Sequence, residues 1–211
     1  MIEDFDNPEL WIVAGPNGSG KSTLYSNLVV ESRKETILIL NPDKLAKKIA
    51  LNESLEYGDA NREAVVRIEK WLGSCVETYQ TIGVETVLST DKYRKLVVLA
   101  KERGFTINLA YVFLSNAELN VERVKIRVSE GGHDVPEEKI KARRDRSFHQ
   151  LSWFFEKADK AFIFDNSGAV PKQIATKNDT NFTYSGDLKG EIYEAIFANY
   201  PDLKATLESK V

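Results

Sequence analysis

Residues 10–22 read Leu-Trp-Ile-Val-Ala-Gly-Pro-Asn-Gly-Ser-Gly-Lys-Ser, and this stretch decides the fold class. It begins with an apolar run of strand length, which predicts a buried strand. The remainder matches the pattern GxxxxGK(S/T), which is meaningful when it joins a strand to a helix. We therefore predict a strand, a phosphate-binding loop and a helix that begins near Lys21.

The loop has the chemistry of a nucleotide site. Its glycines allow successive backbone N–H groups to point at phosphate oxygens, and the helix N-terminus adds partial positive charge. We expect Lys21 to bridge the β- and γ-phosphates of ATP or GTP, and the Ser22 hydroxyl to ligate Mg²⁺. The alternative is a glycine-rich turn that opens a helix and binds no ligand. The residues expected to contact the nucleotide are Gly15, Pro16, Asn17, Gly18, Ser19, Gly20, Lys21, Ser22 and Thr23.

Strand-length and helix-length segments alternate along the rest of the chain. Further apolar runs lie at 36–40, 82–84, 106–114 and 161–164. Helix-length segments lie at 59–79, 92–103, 116–130, 136–155 and 187–200. This alternation predicts an α/β fold of the P-loop kinase type, with a mostly parallel sheet covered by helices on both faces. Ligands of such sheets bind beyond the carboxyl ends of the strands.

Three residues predict helix ends. Gly104 suits the left-handed position that terminates the helix 92–103. Asn116 is a favoured cap for the next helix, which runs to Gly131-Gly132. Pro136 fits the first turn of the helix that follows.

Composition limits the class of protein. The chain has 211 residues and a formal net charge of −3, with a pI near 5.6. One domain spanning residues 1–211 is expected, and the balanced charge predicts neither nucleic acid nor an anionic membrane as partner. No apolar run approaches the roughly 20 residues that a membrane span needs. The sole cysteine, Cys75, and an N-terminus without a secretory signal favour a reducing cytoplasm.

Asp43 is the first candidate for chemistry on the transferred phosphate. It follows the second apolar run within Asn41-Pro42-Asp43, beside the predicted phosphate loop. A carboxylate there could accept the proton of an attacking hydroxyl or orient the metal. The alternative is that Asp43 caps the helix that begins at Lys44.

The segment after the third apolar run is the second candidate. Glu85 could hold Mg²⁺ through water or bind a substrate hydroxyl, with Thr86 and Ser89 as further hydrogen-bonding groups. The alternative is a polar strand end whose Ser89, Thr90 or Asp91 caps the next helix.

A basic stretch at 122–147, within a lid expected at about 116–157, is the third candidate. Guanidinium groups stabilise the charge that spreads over a transferring phosphoryl group. We expect about two of its arginines to touch phosphate, although a charged stretch is usually a solvated helix face. His133 beside the Gly-Gly hinge could contact a phosphate or the acceptor, or be an ordinary loop residue. The arginines are Arg123, Arg127, Arg143, Arg144 and Arg146.

These motifs together resemble the zeta toxin family of P-loop kinases over roughly residues 10–167, about three quarters of the chain. The resemblance is carried by Gly15 to Thr23, Asn41-Pro42-Asp43, Glu85-Thr86 with Ser89, Arg127-Val128, Gly131-Gly132-His133, Val135-Pro136, Ile140, Arg143, Arg146-Ser147 and Asp165-Asn166-Ser167. At Arg144 the sequence departs from relatives that often have an aromatic residue.

The resemblance implies a parallel five-stranded core and phosphorylation of a sugar nucleotide such as UDP-N-acetylglucosamine. By the same resemblance, Asp43 matches the catalytic base, Lys21 the phosphate-loop lysine, and Arg127 and Arg143 the paired lid arginines. Glu85 and Thr86 match positions that contact the acceptor or metal. Many family members work with a small antitoxin, so a protein partner is also implied.

Two further functions stay open at this point. The acceptor could be another small hydroxyl compound, such as a nucleoside, an antibiotic or a sugar. The chain could instead be a nucleotide-gated switch or an ATPase subunit. The C-terminal extension at about 168–211 is expected to pack as an extra strand and helix, and Asp165-Asn166 before it is expected to complete the base pocket.

Overall fold

A computed structural model describes residues 7–28, 37–132 and 134–198. In chain order, its elements are β1 (Glu9–Ala14), α1 (Lys21–Leu28), β2 (Ile39–Leu40), α2 (Pro42–Glu53), α3 (Tyr57–Glu77), β3 (Ile82–Thr86), α4 (Arg94–Glu102), β4 (Thr106–Phe113), α5 (Ala117–Ser129), α6 (Glu137–Lys157), β5 (Lys160–Asp165), β6 (Lys172–Asn178), β7 (Asn181–Tyr184) and α7 (Glu191–Phe197). None of these helices is both long enough and apolar enough to cross a membrane.

The strands form one seven-stranded sheet in the order β2-β3-β1-β4-β5-β6-β7. The five strands from β2 to β5 are parallel, whereas β6 and β7 are antiparallel to their neighbours. The predicted α/β class and the parallel five-stranded core are confirmed. The two added strands extend the sheet beyond β5.

The middle of the sheet is almost completely buried. In β4 every residue after Thr106 is buried, as expected for a strand covered by helices on both faces. Helix α3 contributes buried Ile68 and Leu72 to the main core, and α6 contributes Leu151 and Phe155. This packing fixes the carboxyl ends of the parallel strands relative to one another.

The register of the sheet brings the candidate segments together. Val13 of β1 pairs with Glu85 of β3, and Leu40 of β2 pairs with Val84. The phosphate loop after β1, the start of α2 after β2 and the end of β3 therefore share one edge of the sheet. This is the edge where ligands of doubly wound sheets bind.

The helix ends agree with most of the local predictions. Gly104 has a φ of 80° after α4, and the Asn116 side chain accepts a hydrogen bond from the backbone N–H of Leu119. Pro136 lies one residue earlier than predicted, because it is the capping residue before Glu137. The predicted cap of α4 by Ser89, Thr90 or Asp91 is wrong, because the capping residue is Tyr93, which makes no side-chain capping bond.

As far as residue 198, where the described part of the chain ends, the C-terminal extension forms two strands and a helix rather than one of each. The polar stretch 167–181 contains β6, which pairs with β5 through a register shift at Ile163 and Phe164. Helix α7 buries Ile192, Ile196 and Phe197 in the main core. The predicted helix 187–200 is shorter than expected within the described residues, and residues 199–200 lie outside them.

Candidate nucleotide and phosphoryl-transfer site

The loop between β1 and α1 has the shape of a phosphate cradle. Gly15, Gly18 and Gly20 have φ angles of 144°, 74° and 90°, which favour glycine. A Cβ atom on Gly15 would lie 1.9 Å from the carbonyl oxygen of Val112, so only glycine fits there. The loop ends at the N-terminus of α1, where backbone N–H groups and the helix dipole favour an anion.

Lys21 is folded over this loop. Its Nζ donates hydrogen bonds to the carbonyl oxygens of Gly15 and Pro16, at 2.8 and 2.9 Å. Burial lowers the pKa of Lys21, against the opposing effects of Glu85 and Asp43. The ammonium group is thus buried at the loop, where phosphate oxygens could replace the two carbonyls as its acceptors.

Ser22 and Glu85 form an oxygen-rich pair beside the loop. The Ser22 Oγ donates to the Glu85 Oε2 at 2.8 Å, and the Asn41 Nδ2 donates to the same oxygen at 2.7 Å. Hydroxyl and carboxylate oxygens are the ligands that Mg²⁺ prefers, directly or through water. The donor set therefore fits a magnesium ion at Ser22, with Glu85 beside it.

Asp43 lies in the first turn of α2 and is exposed. Its interpretation as the helix cap is wrong, because the cap is Asn41, whose Oδ1 accepts from the backbone N–H of Lys44 at 2.9 Å. Pro42 follows at the first helical position. The Asp43 carboxylate is therefore not required to begin the helix.

One cavity of about 320 Å³ collects most of the predicted residues. It includes Lys21, Asp43 and Glu85 together with Arg127 and Arg143. The full lining is Asn17, Gly18, Lys21, Asn41, Pro42, Asp43, Val65, Glu85, Thr86, Val87, Ser89, Thr90, Lys92, Arg127 and Arg143. Three strand ends and helices α3, α5 and α6 thus contribute to a single concave surface.

The structure separates the arginines of the basic stretch. Arg127 and Arg143 line the cavity. Arg123 instead donates to the carbonyl oxygen of Asn166 at 2.7 Å. Arg144 is buried, pairs with Glu191 of α7 at 2.7 Å, and donates to the carbonyl oxygen of Leu114 at 3.2 Å. Arg146 is exposed outside the cavity.

Asp43 and Arg127 also line a second cavity of about 250 Å³. Its other residues are Lys47, Glu130, Gly131 and Gly132, so it lies between α2 and the end of α5. The carboxylate of Asp43 is therefore accessible from two sides. His133 follows this segment but lies outside the described residues.

Several lining residues were not predicted. Val65 lies within the predicted helix 59–79, and Lys92 was assigned to a helix that begins two residues later. Leu88 is buried with a φ of 58°, and its N–H donates to the Thr86 Oγ1 at 3.0 Å. A buried leucine in this conformation is strained and is typical of loops held for function. Nothing in the local sequence indicates it.

These features define a P-loop nucleotide-binding protein with the α/β fold of P-loop kinases. The chain belongs to the AAA domain family, whose model matches residues 10–149. An uncharacterized protein of Haemophilus influenzae (strain ATCC 51907 / DSM 11121 / KW20 / Rd) is 30% identical over 143 residues, which cover 64% of this chain and 96% of that protein.

Solved structures of similar fold include two that contain a second protein or belong to a toxin-antitoxin system. The AvrRxo1-ORF1:-ORF2 complex with ATP gives a TM-score of 0.71 at 17% identity, over 92% of this chain and 64% of that chain. The chain thus spans less than two thirds of that relative. The PezAT chromosomal toxin-antitoxin system of Streptococcus pneumoniae gives a TM-score of 0.67 at 16% identity, over 98% of this chain and 85% of that chain. At these identities the likeness shows the fold alone.

Proposed function

We propose that this protein is a magnesium-dependent phosphotransferase that moves the γ-phosphate of ATP to a hydroxyl group of a sugar nucleotide such as UDP-N-acetylglucosamine. The observation that carries the proposal is the cavity shared by Lys21, Asp43, Glu85, Arg127 and Arg143. It combines a phosphate-binding loop with an accessible carboxylate and two guanidinium groups. A nucleotide switch needs the loop, whereas phosphoryl transfer to a small molecule also needs a base.

Lys21 and the loop N–H groups hold the triphosphate in this proposal. Lys21 exchanges the carbonyl oxygens of Gly15 and Pro16 for phosphate oxygens. Arg127 and Arg143 stabilise the negative charge that spreads over the transferring group. GTP would make the same phosphate contacts, so the loop itself favours neither adenine nor guanine.

Ser22 would hold Mg²⁺, with Glu85 oriented beside it by the amide of Asn41. When bound, the ion neutralises charge on the β- and γ-phosphate oxygens. The Asn41 side chain bonds both Glu85 and the N-terminus of α2, so it fixes the carboxylate of Glu85 relative to the helix that carries Asp43.

Asp43 is the proposed general base. It accepts the proton of the acceptor hydroxyl as the hydroxyl oxygen attacks the γ-phosphorus and the bond to the leaving ADP oxygen breaks. Its exposure on the cavity wall leaves the carboxylate accessible to an acceptor. Thr86 and Ser89 offer hydroxyl groups for the acceptor at the same wall, and His133 is the further contact proposed from the sequence.

A protein inhibitor is a second part of the proposal. The similar AvrRxo1-ORF1 structure is a complex with ORF2, and PezAT is a toxin-antitoxin system. We infer that this chain acts in the cytoplasm and binds a cognate antitoxin. Co-purification of the chain with the product of an adjacent gene, expressed together and alone, would test this part separately.

Mass spectrometry tests the reaction directly. The purified chain is incubated with Mg-ATP and UDP-N-acetylglucosamine, and a phosphorylated sugar nucleotide is sought, with Asp43→Asn as control. Product with the wild-type chain and none with the variant supports both the acceptor and the base. ATP binding without product contradicts the sugar-nucleotide acceptor and leads to a panel of nucleosides, antibiotics and free sugars.

A further inference from the structure

Three polar side chains of α5 share one face of the helix. Asn120, Arg123 and Arg127 follow the spacing i, i+3 and i+7, which aligns side chains along a helix. Arg127 lines the cavity, whereas the other two contact the elements that surround the phosphate loop. This face therefore joins the loop to the guanidinium group proposed to act on the transferring phosphate.

Asn120 contacts the phosphate loop directly. Its side chain is completely buried, and its Nδ2 donates to the carbonyl oxygen of Asn17 at 2.6 Å. A Cβ atom on Gly18 would lie 2.7 Å from the backbone oxygen of Asn120 and 3.2 Å from the Cγ2 of Val124. The loop and α5 are therefore packed backbone against backbone, which requires glycine at position 18.

A second amide, on the residue that follows β5, supports the loop. The Asn166 Nδ2 donates to the carbonyl oxygen of Ser19 at 2.8 Å, and Arg123 donates to the Asn166 carbonyl oxygen. A Cβ atom on Gly20 would lie 2.3 Å from this Nδ2. Asn166 thus supports the loop backbone, and its expected part in a base pocket stays a prediction. Two loop carbonyls are held by amides that are distant in sequence.

We propose that Asn120 is a positioning residue that holds the phosphate loop and Arg127 in one rigid arrangement. The bond to Asn17 turns the loop carbonyl outward, toward α5, so that loop N–H groups can face the phosphates. The same residue fixes the distance between the loop and the helix that carries Arg127. The effect on nucleotide binding requires only a P-loop, whereas the role of Arg127 at the transferring phosphate rests on the proposed phosphotransferase function.

The first test is the affinity for Mg-ATP, measured by calorimetry. Asn120→Ala should raise the dissociation constant about tenfold, because the variant loses one buried hydrogen bond that orients the loop. The matched control is Asn116→Ala, which removes the N-cap of the same helix but touches no loop residue. Thermal denaturation of both variants compares their stability. If the two variants lose equal stability and bind Mg-ATP with similar affinity, the proposal is overturned.

A double-mutant cycle tests the coupling to Arg127. Arg127→Ala should raise the dissociation constant for Mg-ATP by a smaller factor in the Asn120→Ala background than in the wild-type chain. The two factors should differ about threefold or more. Independent effects that simply multiply would reject the coupling. Asn120→Asp is a second variant of equal size, which should also bind weakly because a carboxylate cannot donate to the Asn17 carbonyl. Normal affinity in this variant would reject the positioning role even if Asn120→Ala fails to fold.

These measurements distinguish this inference from the proposed function. All of the affinity experiments measure Mg-ATP binding to the wild-type chain and its variants, and none of them needs an acceptor. A chain that binds Mg-ATP and phosphorylates nothing contradicts the phosphotransferase proposal but leaves the role of Asn120 intact. If the wild-type chain transfers phosphate and the Asn120→Ala variant binds Mg-ATP with normal affinity, only the inference about Asn120 is contradicted.

Discussion

Replacing Asp43 with Asn removes the negative charge of the proposed base and almost none of its volume. A positioned general base contributes about 10² to 10⁴ in rate. At about 1.36 kcal/mol for each tenfold change, this corresponds to about 2.7 to 5.4 kcal/mol of activation free energy. We therefore expect kcat to fall at least a hundredfold with Mg-ATP affinity largely retained.

The structure predicts a much smaller effect of this change on stability. Asp43 lies in the first turn of α2, where an acidic side chain contributes about 0.3 to 1 kcal/mol through the helix dipole. The cap remains, because it is supplied by Asn41. The expected rise in activation free energy is thus larger than the expected loss of unfolding free energy. Unfolding of the variant would therefore not explain the loss of turnover.

The assay is ADP release in the presence of the acceptor identified by mass spectrometry, together with urea unfolding of each variant. Asp59→Asn is the matched control, because Asp59 is the acidic residue in the first turn of the neighbouring helix α3 and does not line the cavity. This variant should retain full turnover. Turnover of Asp43→Asn within about threefold of the wild-type value would refute the assignment of the base.

Three further changes test the metal site, a partly buried lysine, and the ion pair between the buried Arg144 and the exposed Glu191. Glu85→Gln should raise the Mg²⁺ concentration for half-maximal turnover by about tenfold or more, since it weakens the group that orients the metal site. Burial lowers the pKa of Lys177 to about 8, against the opposing effect of Asp159. Between about pH 8 and 10, Lys177 is then protonated more in the unfolded chain than in the folded chain. The difference in unfolding free energy between the wild type and Lys177→Met should therefore rise with pH. Urea titrations at several pH values measure this difference. Glu191→Gln should lower the unfolding free energy by about 1 to 2 kcal/mol, because it leaves the buried Arg144 without its anionic partner.

Each of these changes has a control. Glu102→Gln, at an exposed position at the end of α4, should leave the Mg²⁺ dependence unchanged. A pH-independent difference between the wild type and Lys177→Met would contradict the lowered pKa. Asp187→Asn removes an exposed ion pair with Lys172 and should cost less than Glu191→Gln. Equal costs would show that the burial of Arg144 does not matter.

The parts of the fold that could be predicted depend on local patterns. The phosphate loop and the parallel strands were readable because apolar runs and glycine spacing are properties of short segments. Strands β6 and β7 were partly missed because their residues are polar and largely exposed. Their place in the sheet depends on the pairing of β6 with β5 and of β7 with β6, which no local pattern encodes.

The site shows the same limit. Asn41 and Asp43 both favour a cap, but Pro42 occupies the first helical position and so places the cap at Asn41. Local sequence could therefore have decided that question. The different contacts of Arg123 and Arg127 could not be predicted from the local sequence, because both residues lie on one face of α5. Only the packing of the helix against the phosphate loop distinguishes them. The roles of Asn120 and Asn166 depend on contacts across more than a hundred residues and were likewise not predictable.

The helix that carries Asp43 is attached to the protein by a small cluster of its own. Ala46 and Ile49 of α2 pack against Ala60 and Ala64 of α3, and the partly buried Leu45 of α2 connects this cluster to the main core around the sheet. Because alanines bury little apolar area, this contact contributes far less than the packing of β4. Native-state hydrogen exchange should therefore detect α2 as a separate cooperative unit, whose amides exchange through local opening while the sheet stays closed. The carboxylate would then be able to adjust to different acceptors without disturbing the rigid phosphate loop.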